Sequence, residues 1–116
     1  MLAKLTRDER IRHRAEFLAM QAQGIKARGR FLTIVSRRSE FSVSRLGIVA
    51  PRRLGNAVYR NRIKRRVREI FRQNKPEVCL DLVVLPLRNF LDASFGSLQA
   101  DYRRTLRRQF QSRGSR

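Results

Sequence analysis

The sequence predicts an α+β fold, a single-domain α/β sandwich in which a small mixed sheet is packed with helices. Three observations predict it. Runs rich in β-branched and aromatic residues at 30–36, 46–50 and 81–87 read as strands. Segments of helical periodicity precede, separate and follow these runs. The helix between the second and third runs makes a strand–helix–strand crossover, which implies parallel pairing of its two strands. At 116 residues the chain is one domain, and its 41% hydrophobic content supplies a core despite 32% charged residues.

The first helix is expected from about Asp8 to Gln23. Thr6 or Asp8 would cap it, and Asp8 and Glu9 suit its positive end. Ile11, Leu18, Ala22 and Ile25 form a loose apolar stripe, with Phe17 and Met20 pointing partly away. Gly24 and Gly29 punctuate a basic turn. The first strand is expected over Arg30–Ser36. A polar connection at 37–42 leads to the second strand, Leu46–Ala50, which Pro51 ends.

Residues 51–55 form a loop, and Asn56 is placed to cap a basic helix that runs to about Gln73, before Asn74 and Pro76. The third strand is expected over Asp81–Leu87, with Pro86 marking its end or an edge position. A last helix starts near Asp92 or Ser94. It carries Phe95, Leu98, Tyr102, Leu106 and Phe110 on one stripe, with Arg103, Arg104, Arg107 and Arg108 away from it. The final residues, Gln-Ser-Arg-Gly-Ser-Arg, read as a frayed, flexible basic tail on a single domain spanning 1–116.

The basic helix is the most informative segment. From Arg60 to Arg72, seven of thirteen residues are Lys or Arg and only Glu69 is acidic. Charge this dense normally keeps a segment disordered. Here Ile63, Val67, Ile70 and Phe71 recur at helical spacing, so apolar burial holds a row of cations in one geometry. Asn61, Arg65, Arg68 and Arg72 project opposite that stripe, Lys64, Arg62 and Arg66 flank the row, and Arg60 lies close to the stripe. Arg52 and Arg53 extend the patch toward the helix N-terminus, which itself favours phosphate. With one acid among seven bases, i,i+4 salt bridges give no reason for the pattern.

The whole chain carries 28 basic against nine acidic residues, a net +19 and a pI near 11.9. Twenty-four of the bases are Arg, whose planar fork matches phosphate and stacks on bases. Nucleic acid is therefore the leading partner, ahead of an anionic membrane surface. Cys79 is the only cysteine, so neither an internal disulfide nor a thiolate metal site is expected. No apolar run is long enough to span a bilayer. A reducing cytoplasm is the natural setting.

Catalysis by the chain alone is not expected. Phosphodiester hydrolysis usually needs metals on clustered carboxylates, or a base beside a nucleophile. His13 sits in a basic run and reads as a surface residue. The acids are scattered apart from Asp8-Glu9, Cys79 reads as core, and no Walker-type phosphate loop occurs.

Ala57, Arg60, Asn61, Arg62, Ile63, Lys64, Arg65, Val67 and Arg68 together resemble the signature of the bacterial ribonuclease P protein component family. The resemblance spans nearly the whole chain: Glu16-Phe17, Arg30-Phe31, Leu46-Gly47-Ile48-Val49, the basic helix, the apolar strand and the closing helix.

The resemblance implies about four strands in the order α-β-β(-β)-α-β-α, with a left-handed βαβ crossover similar to domain 2 of ribosomal protein S5. It implies that Arg52, Arg53, Arg60, Asn61, Arg62, Lys64, Arg65, Arg66, Arg68 and Arg72 serve the catalytic RNA subunit. It also implies a cleft at Phe17, with Arg30 and Phe31, for the 5′ leader of precursor tRNA. Mg²⁺ would be held mainly by the RNA subunit, and no obligate protein partner is expected. Two positions depart from the family pattern: Gln21 stands where a second aromatic is frequent, and Ile34 where Tyr is frequent. A ribosomal or general structural RNA-binding protein is the alternative that charge alone allows.

Overall fold

The computed structural model describes residues 9–11 and 13–114, with side chains as far as Gln109. The elements are α1 (Arg14–Gln23), β1 (Ile25–Arg28), β2 (Leu32–Arg38), β3 (Arg45–Ile48), α2 (Ala57–Gln73), β4 (Leu80–Pro86) and α3 (Phe95–Gly114). The four strands form one sheet in the order β1-β2-β4-β3. β1 with β2 and β2 with β4 are antiparallel, whereas β3 and β4, joined through α2, are parallel. The crossover expected around the basic helix is present.

Strand alternation separates two cores. Leu32 and Ile34 of β2 and Leu80, Leu82 and Val84 of β4 face Ile63, Val67, Ile70 and Phe71 of α2 and Leu98, Tyr102 and Leu106 of α3. On the other face Val35 and Val83 meet Met20 and Ile11, with Phe17, Val49 and Leu85 half-buried around them. Each fully buried aliphatic or aromatic side chain contributes about 1.5–3 kcal/mol. The larger core therefore anchors α2, and the smaller one seats α1.

The N-terminal region differs from expectation. Arg10 makes a parallel bridge to Leu46, and the Ile11 N–H donates to the Leu46 carbonyl at 2.9 Å. This extended segment adds to the β3 edge, so α1 starts only at Arg14, with His13 at its N-cap position. The expected caps Thr6 and Asp8 lie outside the described residues. A stripe counted in helical phase from Ile11 consequently fails: Met20 is fully buried, whereas Leu18 is 55% exposed.

Other boundaries shift for tertiary reasons. The expected basic turn after Gly24 is strand β1, because its backbone pairs with β2 from Ile25↔Ser36 to Arg28↔Thr33. The next strand starts at Leu32 because Asp101 of α3 binds the preceding turn. It accepts the Arg30 and Phe31 N–H groups, each at 2.9 Å. Pro86 ends β4, which is a central strand. Residues 111–114 of the expected tail are helical, since α3 runs to Gly114, and residues 115 and 116 lie outside the described residues. Phe110 lies outside the described side chains.

Candidate nucleic-acid interface

α2 is started by two local devices. Asn56 caps it, its Oδ1 accepting the Tyr59 N–H at 2.9 Å. Gly55 precedes it at φ 146°, a conformation that disfavours any side chain, and a Cβ there would come within 2.8 Å of the Tyr59 ring. The 3₁₀ turn Arg52–Leu54 leads in, with Arg52 and Arg53 both exposed.

The apolar stripe of α2 is buried as the spacing predicts. Asn61, Arg62, Arg65 and Arg68 are exposed, whereas Arg60, Lys64, Arg66 and Arg72 are half-buried. Arg60 Nε donates to the Gly55 carbonyl at 3.2 Å, tying it to the capping loop. Arg72 departs from its expected place in the free outer row. Its guanidinium pairs with Glu69 one turn back, an i,i+3 contact outside the i,i+4 spacing. Hydrogen bonds from Arg72 and Gln73 hold the Glu69 carboxyl below its ordinary range. Among the described residues, Arg72 is the only α2 cation in an ion pair.

Arg68 lies where three elements converge. Partial desolvation where this otherwise exposed side chain leaves the helix, and then repulsion from Arg10 and Arg65, lowers its pKa. An approaching anion would relieve that repulsion. Arg68 and Lys64 line a cleft of about 160 Å³ together with Arg10, Ile48 and Phe17. The Phe17 ring rests on β3 at Gly47, where a Cβ would lie 2.8 Å from its Cε1 and Cζ atoms. Phe17 is half-buried, so one part of the ring joins the small core while another remains accessible.

The other two expected cleft residues are elsewhere. Phe31 packs against the larger core, and Arg30 stacks over it at 5.3 Å. The Asp101 clamp on their backbone holds both toward α3. Ile34 is likewise sealed in the larger core, while Gln21 is exposed on α1.

Sequence reasoning missed the charge cluster that seats α1. Asp81, 1% exposed, receives Arg45 Nε at 2.9 Å, Arg45 Nη2 at 3.0 Å and Arg37 Nε at 3.3 Å. Arg45 also reaches Glu16 of α1 at 2.8 Å and stacks on Phe41 at 4.5 Å. These acids raise the Arg45 pKa further, Asp81 most strongly. The one available signal was an acid heading an apolar run, since a buried carboxylate requires a partner.

Among the described residues, no group of three or more His, Cys, Asp or Glu could hold a metal ion. No described helix is long and apolar enough to cross a membrane. His13 is exposed and Cys79 is half-buried.

Fold and site together define a class: small, strongly basic α+β proteins that display a cationic crossover helix on one layer of a mixed sheet. The family model described as Ribonuclease P matches residues 5–109. The ribonuclease P protein component of Thermotoga maritima is 41% identical over 88 residues, covering 74% of this chain and 75% of that one. Its counterpart in Gluconacetobacter diazotrophicus is 35% identical over 106 residues, covering 88% and 91%. Among solved structures, the RNase P protein from Thermotoga maritima superposes with a TM-score of 0.77 at 35% identity, over 86% of this chain and 96% of that one. The Staphylococcus aureus RNase P protein gives 0.77 at 30% identity, over 85% and 93%. The chain belongs to the ribonuclease P protein component family.

Proposed function

We propose that this chain is the noncatalytic protein subunit of a ribonuclease P ribonucleoprotein and assists removal of the 5′ leader from precursor tRNA. The observation that carries the reading is α2: a row of exposed cations held in one geometry by a buried apolar stripe, with a single acid in the segment. Arg62, Arg65 and Arg68, with Arg52 and Arg53 before them, bind phosphates of the catalytic RNA subunit. Neutralisation by phosphate offsets the self-repulsion of the helix.

The cleft at Phe17 receives the unpaired leader. An aromatic face holds a base without regard to sequence, and Lys64 beside it meets the backbone. Arg30 and Phe31, directed toward α3, stand outside this path. The protein's contribution is positioning and charge screening between two RNAs. On this reading Mg²⁺ is held mainly by the RNA subunit.

Reconstitution tests the reading. Adding the chain to a bacterial ribonuclease P RNA at low Mg²⁺ will stimulate cleavage of precursor tRNA, more so for substrates with a leader extension. Absence of stimulation rejects this function in favour of general RNA binding. Cleavage by the protein without RNA rejects the noncatalytic role.

A further inference from the structure

The outer face of α3 carries a second concentration of charge that the reading above leaves unused. Arg103, Arg104, Arg107 and Arg108 are all exposed. They form two doublets one turn apart, about 6 Å along the axis. None of them takes part in an ion pair among the described residues. Asp101 is the only acid on α3; it is 2% exposed and committed to the Arg30 and Phe31 N–H groups. The inner face, with Leu98, Tyr102 and Leu106, seats the helix on the larger core. The doublets are thus displayed on a fixed support.

A groove of about 450 Å³ runs between α3 and the segment linking α2 to β4. That volume lies within the range of roughly 300–1,000 Å³ typical of ligand clefts. Arg103 and Arg107 form one wall, with Leu106 and the 38% exposed Val78 supplying apolar surface. Arg103 Nε is oriented by Asn74 Oδ1 at 2.7 Å. Glu77 lines the groove as well and would turn phosphates toward the arginine wall. Among the described side chains, the exposed large hydrophobics Leu18, Phe41, Val58 and Val78 all lie off α3. As far as Gln109, the helix therefore shows no exposed apolar face of the kind that binding in a membrane interface requires.

We propose that α3 is a second RNA-contact surface, separate from α2: Arg103 and Arg107 hold phosphates of an unpaired segment, and the adjoining groove takes one of its bases. Arginine on a rim above apolar surface suits a single strand, whose bases are free to leave the stack.

The test uses the full chain carrying Arg62→Gln, Arg65→Gln and Arg68→Gln, so that α2 no longer dominates. The probe is a labelled single-stranded RNA of about 12 nucleotides. Adding Arg103→Gln with Arg107→Gln will weaken binding about fivefold to tenfold and flatten the salt slope by about 1.4 for two lost phosphate contacts. Arg104→Gln with Arg107→Gln, which breaks no internal hydrogen bond, will act in the same direction. Val78→Ser, which removes apolar surface without adding charge, will weaken binding without that change in slope. The control pair Arg14→Gln with Arg38→Gln removes equal charge from exposed positions elsewhere. A loss no greater than the control's, or a loss seen with phosphatidylserine vesicles in place of RNA, overturns the proposal.

Discussion

Arg45 grips Asp81 side-on, with Nε and Nη2 donating to its two carboxylate oxygens at 2.9 and 3.0 Å, while the same guanidinium reaches Glu16 on α1. One buried cation thus connects the central strand to the helix that carries Phe17. The position of α1 over the sheet depends on this contact as well as on Met20. Removing Asp81 takes away the stronger of the two acidic partners of buried Arg45, and breaking a buried pair costs up to about 3–5 kcal/mol. Asp81→Ala is therefore expected to lower unfolding stability by up to that amount, read from urea denaturation followed by circular dichroism.

The Phe17 ring occupies the space that a side chain at position 47 would fill. Gly47→Ala will displace the ring at a cost of about 1–3 kcal/mol. Its functional signature is a reduced preference for leader-bearing precursor tRNA with binding to the RNA subunit retained. Equal losses for both ligands would place Phe17 in the core alone.

Arg65 is exposed, and no intramolecular partner competes for its guanidinium among the described residues. Arg65→Gln will weaken binding to the RNA subunit while leaving thermal stability within about 0.5 kcal/mol. The slope of log affinity against log salt will flatten by about 0.7–0.9 if one phosphate contact is lost. An unchanged slope and affinity would show that this side chain only faces water.

Glu69 titrates below its ordinary value of 4.5 because Arg72 and Gln73 bind its charged form. The pair supports the fold above the unfolded-state value and loses that support as pH falls through the lower folded value. Carboxyl NMR titration of the folded chain will show the depressed midpoint, and Arg72→Gln will move it back up. At neutral pH, Glu69→Gln frees Arg72 and will tighten RNA binding.

The bounds and buried face of α2 were legible because two independent signals coincide there. Apolar spacing set its buried face, and Asn56 as the N-cap set its start. The parallel crossover followed from the strands flanking it. α1 was misread because its boundary depends on a long-range event: Arg10 and Ile11 join β3 across the sheet, which no local pattern announces. The strand β1 was hidden for the same reason, since Lys26 and Arg28 carry low strand propensity and pairing with β2 overrides it. Phe31 was grouped with Phe17 because the family resemblance implies one leader cleft that includes both. Only the Asp101 clamp, about 70 residues away in sequence, reveals that Phe31 belongs to the other core. The Arg45 cluster joins four segments and was invisible for that reason.

The sheet margins carry one more consequence. β1 is only four residues long, with Lys26 and Arg28 turned outward, and part of the β3 margin is occupied by the bridge from Arg10. Neither border offers a long, flat row of free amides to a neighbouring molecule. Concentrated solutions of the free chain should accordingly resist strand-to-strand fibril growth, and any self-association should be electrostatic and reversed by salt.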